Sequence, residues 1–124
     1  MQRSYLSTLC LLVLHQIDAA YWREWEMFRL PGGIQGYLLF NLVAIPALLL
    51  GYAEVVLGGT KAVLFASACA ALGILTFLIH AGFALAGFDQ FHLPFSIVLI
   101  ALCPLSALWQ WWDIRSVSAR ADAR

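Results

Sequence analysis

The sequence predicts an all-α, polytopic membrane protein, a bundle of four transmembrane helices with both termini cytoplasmic. Three observations predict it. Hydrophobic residues make up 63% of the 124 residues and charged residues 11%. A soluble domain carries about 25% charge, so lipid is the solvent that suits this surface. Four apolar segments reach the roughly 20 residues that a spanning helix needs. Finally, Lys and Arg fall unequally on the two sides that four spans define.

The chain reads as one domain over residues 1–124, with approximate spans 4–22, 37–57, 61–86 and 93–112. The first span begins after Met1-Gln2-Arg3. A signal-peptide cleavage after Ala20 would put Asp18 where a small residue is wanted, so an uncleaved helix is expected. Pro31-Gly32-Gly33 ends the first connection and Gly58-Gly59 the second. Gly87-Phe88-Asp89-Gln90 precedes the last span, where Pro94 suits a helix's first turn. Pro46 and Pro104 fall inside the second and fourth spans, and each removes one backbone hydrogen bond. The segment Arg23–Leu30 is amphipathic. It either prolongs the first helix or lies in the membrane interface.

Arg3, Lys61, Arg115, Arg120 and Arg124 share one side, against Arg23 and Arg29 on the other. This bias places both termini and the middle loop in the cytoplasm, in a cell's inner membrane. Formal net charge is zero, which removes the electrostatic basis for binding nucleic acid. Cys10, Cys69 and Cys103 lie in apolar runs with no metal or disulfide spacing, and read as packing residues.

Ionisable groups inside a span face the bundle or a watery cavity, and they mark functional sites by default. Here they are His15 and Asp18 in the first span, Glu54 in the second and His80 in the third, with the polar Asn41 also in the second. At about 1.5 Å per residue, His15, Asp18, Asn41 and His80 all fall within about 10 Å of the outer ends of their helices. Ser4, Thr8, Leu11, His15, Asp18, Trp22 and Glu26 form one stripe of a continuous first helix. Ala66, Ala70, Gly73, Phe77, His80 and Ala84 form a small-residue stripe suited to close packing in the third. The two stripes turn His15, Asp18 and His80 toward each other. Trp22, Glu26, Asn41 and His92 are the further candidates around the resulting pocket. Glu26 also has a local alternative, an i±3 pair with Arg23 or Arg29.

Imidazoles with a carboxylate suit zinc or iron, so His15, Asp18 and His80 are the candidate metal ligands. The same groups can equally form a hydrogen-bonded core in a structural or accessory subunit of a membrane complex. A His/Asp pair can also titrate near neutral pH and move protons or a small solute. No nucleophile or substrate groove points to catalysis. Small-residue faces serve self-association, a membrane partner or internal packing alike.

The run His15-Gln16-Ile17-Asp18-Ala19-Ala20-Tyr21-Trp22-Arg23-Glu24-Trp25-Glu26-Met27-Phe28, with Leu30-Pro31-Gly32-Gly33-Ile34-Gln35, resembles a family of small bacterial four-helix membrane proteins of unknown function. It is distantly similar to the HXXEE-domain membrane proteins, which carry a histidine and acidic residues in the first helix and a later histidine. Here the acidic position is Asp18 and the next residue is Ala19. The resemblance implies a membrane protein with a polar site, and brings no substrate.

Overall fold

The computed structural model describes residues 1–122. Arg124 and the side chain of Arg120, both part of the charge bias, lie outside the described residues. The described residues form five helices rather than four. They are α1 (Gln2–Tyr21), α2 (Glu24–Met27), α3 (Gly33–Leu57), α4 (Ala62–Leu85) and α5 (Pro94–Asp122). Among the described residues there is no strand.

Local chemistry sets the boundaries. Gly32 adopts φ +87° before α3, and Gly58 adopts φ +66° after it. A side chain in this left-handed region is disfavoured, so both positions suit glycine. At the second boundary the Gly59 N–H donates to the Glu54 carbonyl at 2.9 Å, closing the helix end. Pro94 opens α5, where its missing N–H has no helical partner to lose. Pro46 and Pro104 both lie within unbroken helices.

The fifth helix arises because α1 stops early. Arg23 takes φ 55°, a left-handed conformation, and the chain turns there before the single turn of α2. This resolves the segment after Tyr21, expected either to prolong the first helix or to lie in the interface. It is a separate helical turn that packs on α1 and α3.

Among the described residues, three helices are long and apolar enough to cross a membrane: Gly33–Leu57, Ala62–Leu85 and Pro94–Val117. Helix α1, expected as a fourth span, does not reach that standard. Gln2, Arg3, Ser4, Ser7, Thr8, His15, Gln16 and Asp18 dilute its apolar residues. Its neighbours explain the polarity. Its backbone comes close to those of α3, α4 and α5, whereas among the described residues the backbones of α3 and α5 stay apart. Helices α1 and α4 therefore form the short diagonal of the bundle, and the polar groups of α1 find partners in it.

Those partners occur along much of its length. Near its start, Ser4 Oγ donates to Asp113 Oδ2 at 2.6 Å, and the Met1 ammonium lies 2.9 Å from the same oxygen. Thr8 and Ser106 hydroxyls bond at 2.8 Å. Near the other end, Ser96 Oγ donates to Asp18 Oδ1 at 2.9 Å. Low residue numbers on α1 meet high ones on α5, so these two helices are antiparallel. Tyr5 with Leu48 and Tyr37 with Gln16 show the same for α1 and α3. Gln110 Nε2, fully buried, donates to the Ala66 carbonyl at 2.8 Å and ties α5 to α4. Such bonds hold helices in register where lipid supplies no hydrophobic drive between them.

Close backbone approach completes the packing. At Gly73 an added Cβ would sit 3.1 Å from Ala107 Cβ and 3.2 Å from Thr8 Cγ2, so α4, α5 and α1 meet there. Ala66, Ala70, Gly73 and His80 are buried, while Phe77 and Ala84 of the same small-residue stripe are exposed. One apolar cluster gathers Tyr5, Leu12, Val55, Cys69 and Ile114. A second, of Ala19, Trp25, Tyr37, Phe91 and Ile100, surrounds the site described next.

Candidate functional site

Two histidines and one glutamate converge inside the bundle. His15 on α1 and His80 on α4 are brought together because both helices run the same way and are in direct contact. Their Nε2 atoms are 3.1 Å apart and the rings stand edge to face at 76°. Glu24 Oε1 completes the group, 3.1 Å from His80 Nε2 and 3.9 Å from His15 Nε2. All three side chains are buried: His15 is 2% exposed, His80 6% and Glu24 7%.

The left-handed turn at Arg23 positions Glu24. It ends the α1 path and starts α2 in a new direction, so the first residue of α2 points back into the bundle. Aromatic rings close the cluster. Phe91 lies 4.3 Å from the His80 ring and 5.7 Å from the His15 ring, centroid to centroid. Phe91 itself is buried and holds φ 63°, a second left-handed residue at the site. For residues other than glycine such conformations cost about 1–2 kcal/mol each, and they persist where the surroundings fix them.

Proton accounting shows what the cluster can do. A neutral imidazole carries one N–H, and an ionised carboxylate only accepts. If His80 Nε2 donates to Glu24, it has no lone pair left for His15 Nε2. If His80 Nε2 instead accepts from His15, it cannot donate to Glu24. One shared proton satisfies one contact of the three. Meanwhile His15 Nδ1 is buried without a hydrogen-bond partner. Three electron-pair donors that converge at one buried place are an arrangement that a cation can satisfy, with the imidazole proton of His15 then on Nδ1. Among the described residues, His15, Glu24 and His80 have ligand atoms within 4.8 Å of one another, close enough to share a metal ion.

The other candidate residues take different places. Asp18 turns toward α5 and accepts from Ser96, whose hydroxyl in turn accepts from Trp22 Nε1 at 3.2 Å. Asn41 Nδ2 donates to the Tyr37 carbonyl at 3.0 Å, one helical turn back on α3. Glu26 pairs with Arg23 on the exposed face. His92 is exposed, bonds the Asp89 carbonyl at 2.6 Å and stands edge to face with Trp22. Glu54 accepts from the Lys61 N–H, outside the cluster.

Sequence reasoning missed Glu24. A continuous helix would place Glu26 on the His15 stripe and Glu24 off it. No Gly or Pro marks the break at Trp22-Arg23, so no local signal reveals the change of phase.

The fold and site thus define an all-helical protein with apolar helices of membrane-crossing length and a buried His/His/Glu cluster. The chain belongs to the Family of unknown function (DUF6713), whose model matches residues 1–117. No curated protein and no solved structure matches it.

Proposed function

We propose that this protein is a metal-binding membrane protein whose metal centre is His15, Glu24 and His80. The observation that carries the reading is the donor triangle, with edges of 3.1, 3.1 and 3.9 Å. Ligands about 2.05 Å from a tetrahedral zinc stand about 3.3 Å apart, which lies within that range. Two imidazoles and a carboxylate suit zinc or iron. Three protein ligands leave one position open, which distinguishes a reactive or ligand-exchanging site from a closed structural one.

The protein resides in a bacterial inner membrane as a single domain with N- and C-termini in the cytoplasm. Helix α1 crosses with the three apolar helices, packing one side on them and turning Leu6, Leu14 and Ile17 outward. The centre then lies in the outer half of the bilayer. Asp18, Asn41, Trp22 and His92 serve as outer groups around it rather than as ligands.

X-ray absorption at the metal edge of protein loaded with zinc tests the ligand set. The expected spectrum shows nitrogen and oxygen neighbours only, with an imidazole scattering pattern. Sulfur neighbours would assign the metal to the cysteines and overturn the centre.

A further inference from the structure

A cavity of about 290 Å³ reaches the cluster from the side of α3 and α4. Its polar end is formed by His15, Glu24 and His80, and its walls are almost wholly apolar, among them Trp25, Phe40 and Leu72. Phe40 on α3 and Leu72 and Leu75 on α4 are exposed at its rim. This part of the rim lies on two helices of membrane-crossing length, a position that faces lipid when the protein spans a bilayer. A second, smaller cavity of about 70 Å³ adjoins it. The two share Gln16, Phe40, Leu72 and Thr76, and the second runs on past Leu12, Val13 and Ala44. Side by side they make a cleft with one polar end and mostly apolar walls, Gln16, Asn41 and Thr76 being the polar exceptions. In the wall of the smaller cavity, Asn41 Oδ1 is buried without a hydrogen-bond donor.

We propose that this lateral cleft binds a single-chain amphiphile of the fatty-acid type, its carboxylate at the His15/Glu24/His80 centre and its chain between α3, α4 and α1.

Size, charge and solvation each point to this occupant. At about 30 Å³ for a water-sized group, the larger cavity has room for about ten heavy atoms, and its apolar walls suit a chain. Moving a hydrocarbon chain from bilayer to cleft is close to neutral, because lipid tails are as apolar as leucine. The polar head then decides where the molecule sits, since an oxygen anion inside the membrane must find a partner. The head's placement rests on the metal reading above. A divalent ion held by one carboxylate and two neutral imidazoles keeps net positive charge and an open position, and an anionic oxygen fills both. The chain's placement rests on the cleft alone. A bulky two-chain head group does not fit the cleft, and a water-soluble ligand has no route through an apolar rim.

The test uses two decanoic acid photoprobes, whose twelve heavy atoms match the two cavities together, one with a diazirine near its methyl end and one with it near the carboxylate. The full chain is held in phosphatidylcholine nanodiscs, both metal-loaded and metal-stripped. The expected result is methyl-end labelling of Leu12 and Val13, which face the cleft from α1, and carboxylate-end labelling near Trp25 and Ile79. Thr76→Phe should abolish the labels on Leu12 and Val13, and Ala44→Phe should do the same from the other wall, each variant being checked for an unchanged helical spectrum and melting temperature. Labels spread over outward-facing Leu50, Leu64 and Leu78, with none on Leu12 or Val13 in either metal state, would overturn the cleft. Leu12 and Val13 labels in protein that takes up no metal would keep the chain's placement and remove the head's. Metal uptake without those labels would keep the metal centre and remove the amphiphile.

Discussion

Glu24 Oε1 stands 3.1 Å from His80 Nε2, a contact between a one-turn helix after α1 and the last turns of α4. Neither residue reaches the other through any regular element. The contact exists because Arg23 reverses the chain, and the rest of the site is built around it.

The reversal makes Arg23 the residue on which Glu24 depends. Arg23→Gly should keep metal affinity, because glycine adopts φ 55° without strain. Arg23→Ile should lower it, because a β-branched residue resists the left-handed region by about 1–2 kcal/mol, roughly tenfold or more in affinity if Glu24 must be re-placed. Competitive titration against a chromophoric chelator reads both. Equal affinities in the two variants would show that the turn does not place Glu24.

Asp18 and Glu24 should separate cleanly. Asp18→Asn keeps the acceptor oxygen that receives the Ser96 hydroxyl, so it should alter metal affinity by no more than the about 10–100-fold typical of outer groups. Glu24→Gln removes a charged donor from the triangle and should exceed that loss. If the order were reversed, Asp18 would be the ligand and Glu24 the outer group.

How much of this was legible in the sequence can be judged from these residues. His15 and His80 are polar groups at one depth on helices whose phases face inward, and composition plus helical spacing locate both. The breaks at Gly32 and Gly58 carry their own chemistry. The short α2 does not. Tyr21-Trp22-Arg23-Glu24 contains no residue that ends a helix, so a regular 3.6-residue phase runs on to Glu26 and passes over Glu24. The stop is decided by tertiary packing, with Trp25 drawn into the Tyr37 and Phe91 cluster. The polarity of α1 likewise lowers its standing as a span when taken alone, and makes sense only once α3, α4 and α5 surround it.

Stability should be most sensitive where helices touch. At Gly51 an added Cβ would overlap the Tyr5 hydroxyl and Phe65. Gly51→Ala should therefore destabilise the bundle by about 1–3 kcal/mol, the cost of overpacking, and disturb the 2.8 Å bond from Tyr5 to the Leu48 carbonyl. Gly58→Ala, with open space around it, should lose only the smaller cost of its positive φ. Thermal unfolding in a fixed detergent compares them, and a more stable Gly51→Ala would refute this packing of α1, α3 and α4.

The charge bias predicts orientation. A reporter active only outside the cytoplasm should be silent when fused after Arg124 and active when placed in the connection between α4 and α5, at Asp89. The opposite pattern would invert the protein and move the site to the inner half of the bilayer.

Metal content of the purified protein, measured by elemental analysis after loading and removal of free metal, tests the central proposal most directly. The predicted result is about one metal per chain for the unaltered protein and for Asp18→Asn, with His15→Ala, His80→Ala and Glu24→Gln each losing it, as three ligands sharing one ion require. Absence of metal from the unaltered protein after loading with zinc and with iron, or its full retention in Glu24→Gln and His80→Ala, would contradict the account.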